Sequence, residues 1–170
     1  ASDVYKRQFL KFLKYFQEND LVCAGSQTDT KGDRGARPGQ QWDPDQYLHV
    51  VERREDGVVV RGCKVHNTMA PYADELIALP TRVMKPEEKD YAIAFAIPAD
   101  TEGVYLIARE AFSQQREENL DAPITQAGDL ESMTVFDDVF VPNERIFLNG
   151  VTDFAGILAL RFALYHRHSY

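Results

Sequence analysis

Cysteine is scarce in this sequence: Cys23 and Cys63 are the only two in 170 residues. That is too few for a disulfide framework, and two reduced, structural thiols are the expectation. Long hydrophobic runs are also missing. No stretch approaches the ~20 apolar residues that cross a bilayer, so no membrane partner is expected. The opening "ASDVYKRQFLKFLKYF" lacks the basic, apolar, small-residue order of a secretory leader, which makes a cytoplasmic address the default. Basic residues are in deficit, with 19 Lys and Arg against 27 Asp and Glu and a formal net charge of −8. A surface of that sign does not suit phosphate backbones, so no nucleic-acid partner is expected. Neither a GxxxxGK[ST] loop nor a GxGxxG turn after a strand is present, which removes the two commonest phosphate-binding fingerprints.

What is present divides by texture. Residues 1–8 fit poorly with the helical segment after them and are set apart as a candidate non-native leader. In "FLKFLKYF", Phe9, Phe12, Leu13 and Phe16 recur at i, i+3, i+4 and i+7, one apolar face of an amphipathic helix. Residues 21–41 are rich in Gly, Ser, Thr, Asp and Pro and keep no apolar period, which predicts a long loop of the kind that carries function. Six or seven strand-like runs come next, with a hairpin signal at Asp56-Gly57. In the last of them, "SMTVFDDVFVPNERIFL", Asp137-Asp138 and Pro142-Asn143 predict breaks. Short strands without intervening helices point to an antiparallel barrel or sandwich. After residue 150 the period changes, and Thr152 or Asp153 is placed to cap a helix in which Leu158, Phe162, His166 and Tyr170 share a face. Four regions result: the leader at 1–8, a helix at 9–20, a β domain at 21–150 and a second helix at 151–170.

Three segments hold chemistry-bearing residues. "SQTDTKGDRGARPG" sets Lys31, Arg34 and Arg37 among glycines and hydroxyl residues, a composition suited to a phosphate or diphosphate and equally to a solvated loop. "KVHNTM" puts His66, Asn67 and Thr68 at a strand end, where a hydroxyl and an amide can bond the edge of a flat heterocycle. A single strand histidine is as readily structural. At the C-terminal end, "YHRHSY" is the densest group: His166 and Tyr170 lie on one helical face, and His168 points roughly 200° away from His166. A complete metal site needs more ligands than this segment offers.

Long ordered motifs then add up: "TDTKGDR", "DPDQYLHVVERREDGVVVRGCKVHNT", "KDYAIAFAIPADTEGVY", "VFDDVFVPNERIFL" and "DFAG…RFALYHRHSY". Together they resemble the 4-hydroxyphenylacetate 3-hydroxylase-like flavoproteins, from about residue 9 to residue 170, and within that family the 4-hydroxybutyryl-CoA dehydratase branch. The resemblance implies a mainly β chain with flanking α: a central antiparallel, barrel-like β domain of an acyl-CoA-dehydrogenase-like fold, with one helix from a helical domain on each side. It implies FAD, a [4Fe–4S] cluster with most ligands outside this chain, an acyl-CoA substrate and a homotetramer. Matched position by position, Gln27, Thr28, Lys31, Gly32, Asp33 and Arg34 fall in the family's FAD loop. His66, Asn67 and Thr68 fall at the strand end that approaches the flavin, with Thr68 near its reactive part. Glu131 matches an acid–base carboxylate, His166 a histidine ligand of the cluster, and Tyr170 a catalytic tyrosine. Cys23 and Cys63 match no cluster cysteine. Two departures stand near these positions: "HNTM" where "HQTG" is usual, and "HRHSY" where "HRQSY" is usual.

The implied reaction is dehydration of 4-hydroxybutyryl-CoA to crotonyl-CoA, with vinylacetyl-CoA isomerisation beside it, in a longer protein; this chain alone is expected to be inactive. Two alternatives remain open: an FAD-dependent hydroxylase of aromatic rings without a cluster, and a non-catalytic β-domain binding module.

Overall fold

The computed structural model describes residues 2–109 and 131–167. Eight strands lie among them: β1 (Cys23–Ser26), β2 (His49–Arg53), β3 (Gly57–Lys64), β4 (Glu75–Ala78), β5 (Ile93–Pro98), β6 (Val104–Ala108), β7 (Ser132–Pro142) and β8 (Ile146–Asn149). Helix α1 (Ser2–Glu18) precedes them and helix α2 (Thr152–Arg167) comes after. The strands form two four-stranded sheets, ordered β1-β4-β5-β8 and β2-β3-β7-β6.

No closed barrel forms among the described residues; the expected barrel-like arrangement is two sheets face to face. Their inner faces share one core, in which Leu76, Ile93, Phe95 and Ile97 of one sheet meet Val58, Val60, Phe136 and Val139 of the other. The Phe95 and Phe136 rings pack edge to face with centroids 5.7 Å apart. Each side chain of this size contributes about 1.5–3 kcal/mol by leaving water. Central β5 is buried along nearly its whole length, which is why it reads as a continuous apolar run rather than an alternation.

Three further details differ from expectation. All pairings are antiparallel except β1 with β4, which is parallel. Strand β1 is "CAGS", inside the segment predicted as loop; four small residues are too few to show a period. The two aspartates expected to end a strand instead lie within β7. Its pairing with β3 runs Val60 to Val139 and then Gly62 to Phe136, so Arg61 faces both Asp137 and Asp138 in a bulge. Asp138 takes the left-handed conformation there, φ 53°, and receives two hydrogen bonds of 2.8 Å from Arg61. The predicted break at Pro142-Asn143 holds: a single 3₁₀ turn there (Asn143–Arg145) carries the chain from one sheet to the other.

Helix α1 begins at Ser2, within the segment set apart as a leader, and Tyr5 Oη donates to Asn149 O at 3.2 Å. Its aromatic face is seated against β8. Phe12 is buried, with its ring 5.4 Å from Phe147, and the Arg145 guanidinium lies over Phe12 and Tyr15. Both Thr152 and Asp153 fall in the first turn of α2 rather than before it.

Candidate functional site

The antiparallel pairing of β3 with β7 brings the C-terminal end of one beside the N-terminal end of the other, with Lys64 opposite Thr134. Residues 66–68 therefore lie alongside residues 131–134. Thr68 Oγ1 donates to Glu131 Oε1 at 2.6 Å, and His66 Nδ1 lies 3.6 Å from Glu131 Oε2. Three side chains singled out from sequence, 63 and 65 residues apart along the chain, thus meet in one place. His66 and Glu131 line an open cleft of about 290 Å³ with Val65, Ile107, Arg109 and Ser132.

Asn67 lies between two exposed neighbours and is itself fully buried. Its Nδ2 donates to Lys64 O at 3.1 Å and to Thr134 Oγ1 at 2.8 Å. Its backbone N–H donates to Ser132 O at 2.9 Å, and Ser132 Oγ donates to Asn67 O at 3.0 Å. These bonds hold a tight turn in which His66 and Met69 both take positive φ, 58° and 62°. Non-glycine residues adopt that conformation only where surroundings over-determine it. The Asn67 Nδ2 is thus used inside the protein while its buried Oδ1 accepts no hydrogen bond, and His66 and Thr68 are the exposed members of the trio.

Behind this turn sits a buried ion pair that sequence reasoning missed. Lys64 Nζ is 2.7 Å from Asp29 Oδ1 and donates to Gln27 O at 3.0 Å and Leu79 O at 2.8 Å, so the buried cation has one opposite charge and two carbonyl acceptors around it. Thr81 Oγ1 hydrogen-bonds with Asp29 and with Gln27 O. One signal was legible: Val58, Val60, Gly62 and Lys64 fall on the same inward face of β3 at period two. A lysine in phase with core residues requires acceptors. Through this residue the two predicted segments are joined, because its side chain binds Gln27 O and the Asp29 carboxylate while its carbonyl accepts from Asn67.

The loop that continues from there is shaped by glutamines. Gly32 stands at φ 45°, a left-handed conformation that favours glycine, and a Cβ there would displace the Gln46 and Gln41 side-chain ends. Asp33 N donates to Gln41 Oε1 at 2.9 Å, and Asp33 Oδ1 accepts from Gly35 N at 2.8 Å. Gln27 and Thr28 are half-buried, and their carbonyls accept from Lys64 Nζ and Val65 N.

Arg37 is not available with the other two cations of this loop. Its guanidinium makes a two-bond pair with Glu88 and donates to Val83 O at 3.0 Å. Burial pushes the Glu88 carboxyl up, but the Arg37 hydrogen bonds, the Lys85 N–H and the charges of Arg37 and Arg82 outweigh it and leave the pKa below its ordinary 4.5. Lys31 and Arg34 instead line a pocket of about 250 Å³ with Tyr47, Thr81 and Arg82.

Burial, then the charge of Glu75, pushes Cys23 up to about 11, and burial likewise raises Cys63. Among the described residues no three metal-ligating side chains converge. His166 is exposed on α2 with its ring stacked on Phe162 at 5.9 Å. Tyr170 and His168 lie outside the described residues.

Comparison with known proteins fits this geometry. Residues 1–148 match the family model described as 4-hydroxyphenylacetate 3-hydroxylase N terminal. The chain is 48% identical over 170 residues to 4-hydroxybutyryl-CoA dehydratase/vinylacetyl-CoA-Δ-isomerase of Clostridium aminobutyricum, covering 98% of this chain and 35% of that protein. The solved structure of an oxygen-tolerant archaeal 4-hydroxybutyryl-CoA dehydratase from N. maritimus superposes with a TM-score of 0.91 at 38% identity, over 98% of this chain and 34% of that one. The HpaB oxygenase component of 4-hydroxyphenylacetate 3-monooxygenase, complexed with FAD and 4-hydroxyphenylacetate, gives 0.80 at 29% identity, over 95% and 34%. Butyryl-CoA dehydrogenase from Megasphaera elsdenii, at 21% identity and a TM-score of 0.53 over 82% and 32%, shares the fold. The chain spans about a third of the length of these relatives.

Proposed function

The chain belongs to the 4-hydroxyphenylacetate 3-hydroxylase family, and from that premise we propose that it is the central part of an FAD-dependent 4-hydroxybutyryl-CoA dehydratase with vinylacetyl-CoA isomerase activity. The observation that carries the reading is the short Thr68–Glu131 hydrogen bond at the mouth of the cleft, with His66 beside it. In this proposal Glu131 is the acid–base group. The Thr68 hydroxyl donates to Oε1, leaving Oε2 as the oxygen that accepts a substrate proton. His66 supplies a donor and the Thr68 hydroxyl, its one O–H spent on Glu131, an acceptor to the edge of a flat ring; the turn held by Asn67 and the backbone around Gln27, Thr28, Lys31, Gly32, Asp33 and Arg34 shape the rest of the cofactor's seat. FAD, when bound, supplies a one- or two-electron acceptor beside these residues.

The iron–sulfur cluster stands differently. The described residues offer His166 as one ligand and nothing that completes a site, so no step is assigned to it. His166 and Tyr170 remain proposals for the assembled protein, as do the homotetramer, the three-part domain order and the cytoplasmic address. The HpaB likeness supports a second reading, hydroxylation of an aromatic ring.

The test uses the full-length polypeptide. Glu131→Gln is expected to lower turnover of 4-hydroxybutyryl-CoA by about 10²–10⁴-fold while bound FAD, read from its visible absorbance, stays unchanged. Undiminished turnover removes Glu131 from the chemistry. Oxidation of 4-hydroxyphenylacetate with reduced flavin and oxygen, in place of crotonyl-CoA formation, establishes the second reading instead.

A further inference from the structure

The outermost strands of the two sheets are β1, β8, β2 and β6. An open strand edge is a row of backbone donors and acceptors that a protein must blunt or use. The first three edges are blunted. Strand β1 has four small residues. Strand β8 is equally short and lies under the aromatic face of α1. Strand β2 carries Glu52 and Arg53, with a bulge where its pairing steps from Val50 to Glu52. Strand β6 has none of these devices. It runs Val104, Tyr105, Leu106, Ile107, Ala108, uncharged throughout, and pairs with β7 without a break in register.

The hydrogen bonds that frame β6 fix where its backbone groups point. Asp137 N donates to Gly103 O at 2.9 Å, and Arg109 N to Glu131 O at 2.8 Å. The odd-numbered residues therefore turn their N–H and C=O toward β7, and the even-numbered ones turn theirs away. Val104 N–H is taken by Thr101 O at 3.0 Å. Among the described residues, Val104 C=O and both backbone groups of Leu106 and Ala108 have no partner strand. Val104 and Leu106 pack their side chains on the core, while Tyr105 and Ile107 stand on the outer face, 57% and 53% exposed.

We propose that the β6 edge is a self-pairing surface, where two copies of the chain meet antiparallel about a two-fold axis with Leu106 opposite Leu106. The strand's own chemistry selects that register. Leu106 N–H of each copy donates to Leu106 O of the other, and Ala108 N–H donates to Val104 O. The donor left over, Val104 N–H, is the one Thr101 already satisfies. Between these bonds fall the non-hydrogen-bonded pairs, where facing side chains come closest. They set Tyr105 of one copy against Ile107 of the other, an aromatic ring on a β-branched residue, and so cover the two exposed side chains of the strand together. Ile107 also lines the cleft with His66 and Glu131, so the second copy adds a tyrosine at the rim of that cleft. The interface holds whatever reaction the cleft performs.

Cross-linking in the full-length protein tests both the surface and the register. Tyr105→Cys and Ile107→Cys, co-expressed and oxidised, are expected to give a covalent dimer on a non-reducing gel that neither variant alone and no wild-type sample gives. Covalent dimers from either variant alone, or none from the two together, overturn the proposal. Ala108→Pro removes an outward N–H and no bond to β7, a change edge strands tolerate. Sedimentation velocity is expected to show dissociation strengthened about tenfold or more in this variant, with an unchanged circular dichroism spectrum. Tyr105→Lys, which places a charge on the edge, is expected to act likewise, and Val51→Lys on the blunted β2 edge to leave association as in wild type. Equal effects from the two edges, or association unchanged in Ala108→Pro and Tyr105→Lys, overturn the proposal. Leu106 and Ala108 amides protected from hydrogen exchange in a wild-type monomer do the same, because another part of the polypeptide then covers the edge.

Discussion

Two arginines of similar sequence surroundings, Arg34 and Arg37, end in opposite circumstances. Arg37 is drawn inward onto Glu88 and a carbonyl; Arg34 is left facing a pocket with Lys31 and Arg82. The same division runs through the strand-end motif, where buried Asn67 is bonded at every polar atom except Oδ1, while His66 and Thr68 look out. In both segments one polar residue holds the backbone so that its neighbours can meet something else. Adjacency in sequence therefore does not imply a shared task. The roles separate by burial, and the buried members govern stability while the exposed ones govern binding.

If that division is right, the largest loss of stability comes from the deepest member. Lys64→Ala leaves Asp29 charged and buried without its partner, which is expected to cost about 3–5 kcal/mol. Chemical denaturation of the full-length protein measures it. Replacing both partners by apolar residues, Lys64→Met with Asp29→Leu, is expected to recover part of that loss; a double variant no better than the single one places the cost elsewhere. Asn67→Ala comes next. It removes two side-chain hydrogen bonds and leaves Thr134 unsatisfied, at about 1–3 kcal/mol. Because the turn also sets Thr68 against Glu131, turnover is expected to fall along with stability. Thr68→Ala, by contrast, is expected to lower turnover with the denaturation midpoint nearly unmoved. Equal stability losses in the two variants remove the distinction between holding and acting.

Much of this was legible before the structure. The long apolar and β-branched runs announced β3, β5 and β7, and the motif resemblance singled out His66, Thr68 and Glu131, which the fold brings together. What was not legible depends on pairing between distant segments. Strand β1 has four small residues and exists because β4 offers a parallel edge. The bulge at Asp137-Asp138 exists because Arg61 lies across from it. Arg82, 45 residues beyond Arg37, lines the pocket with Lys31 and Arg34 while Arg37 does not, and nothing in the loop's own spacing shows that Glu88 claims Arg37. The sequence places Asn67 with its neighbours as a cofactor contact; its burial adds the role of holding them.

The Arg37–Glu88 pair gives the smallest effect and the sharpest direction. The folded Glu88 carboxyl lies below its ordinary value of 4.5, burial being outweighed by Arg37, the Lys85 N–H and the nearby positive charges. A carboxyl depressed on folding adds stability that is fully present above pH 4.5 and is lost as pH falls through the lower folded value. Glu88→Gln removes that dependence. Stability measured from pH 7 down through pH 4 is therefore expected to fall less steeply in Glu88→Gln than in wild type, with the two curves converging at the acid end.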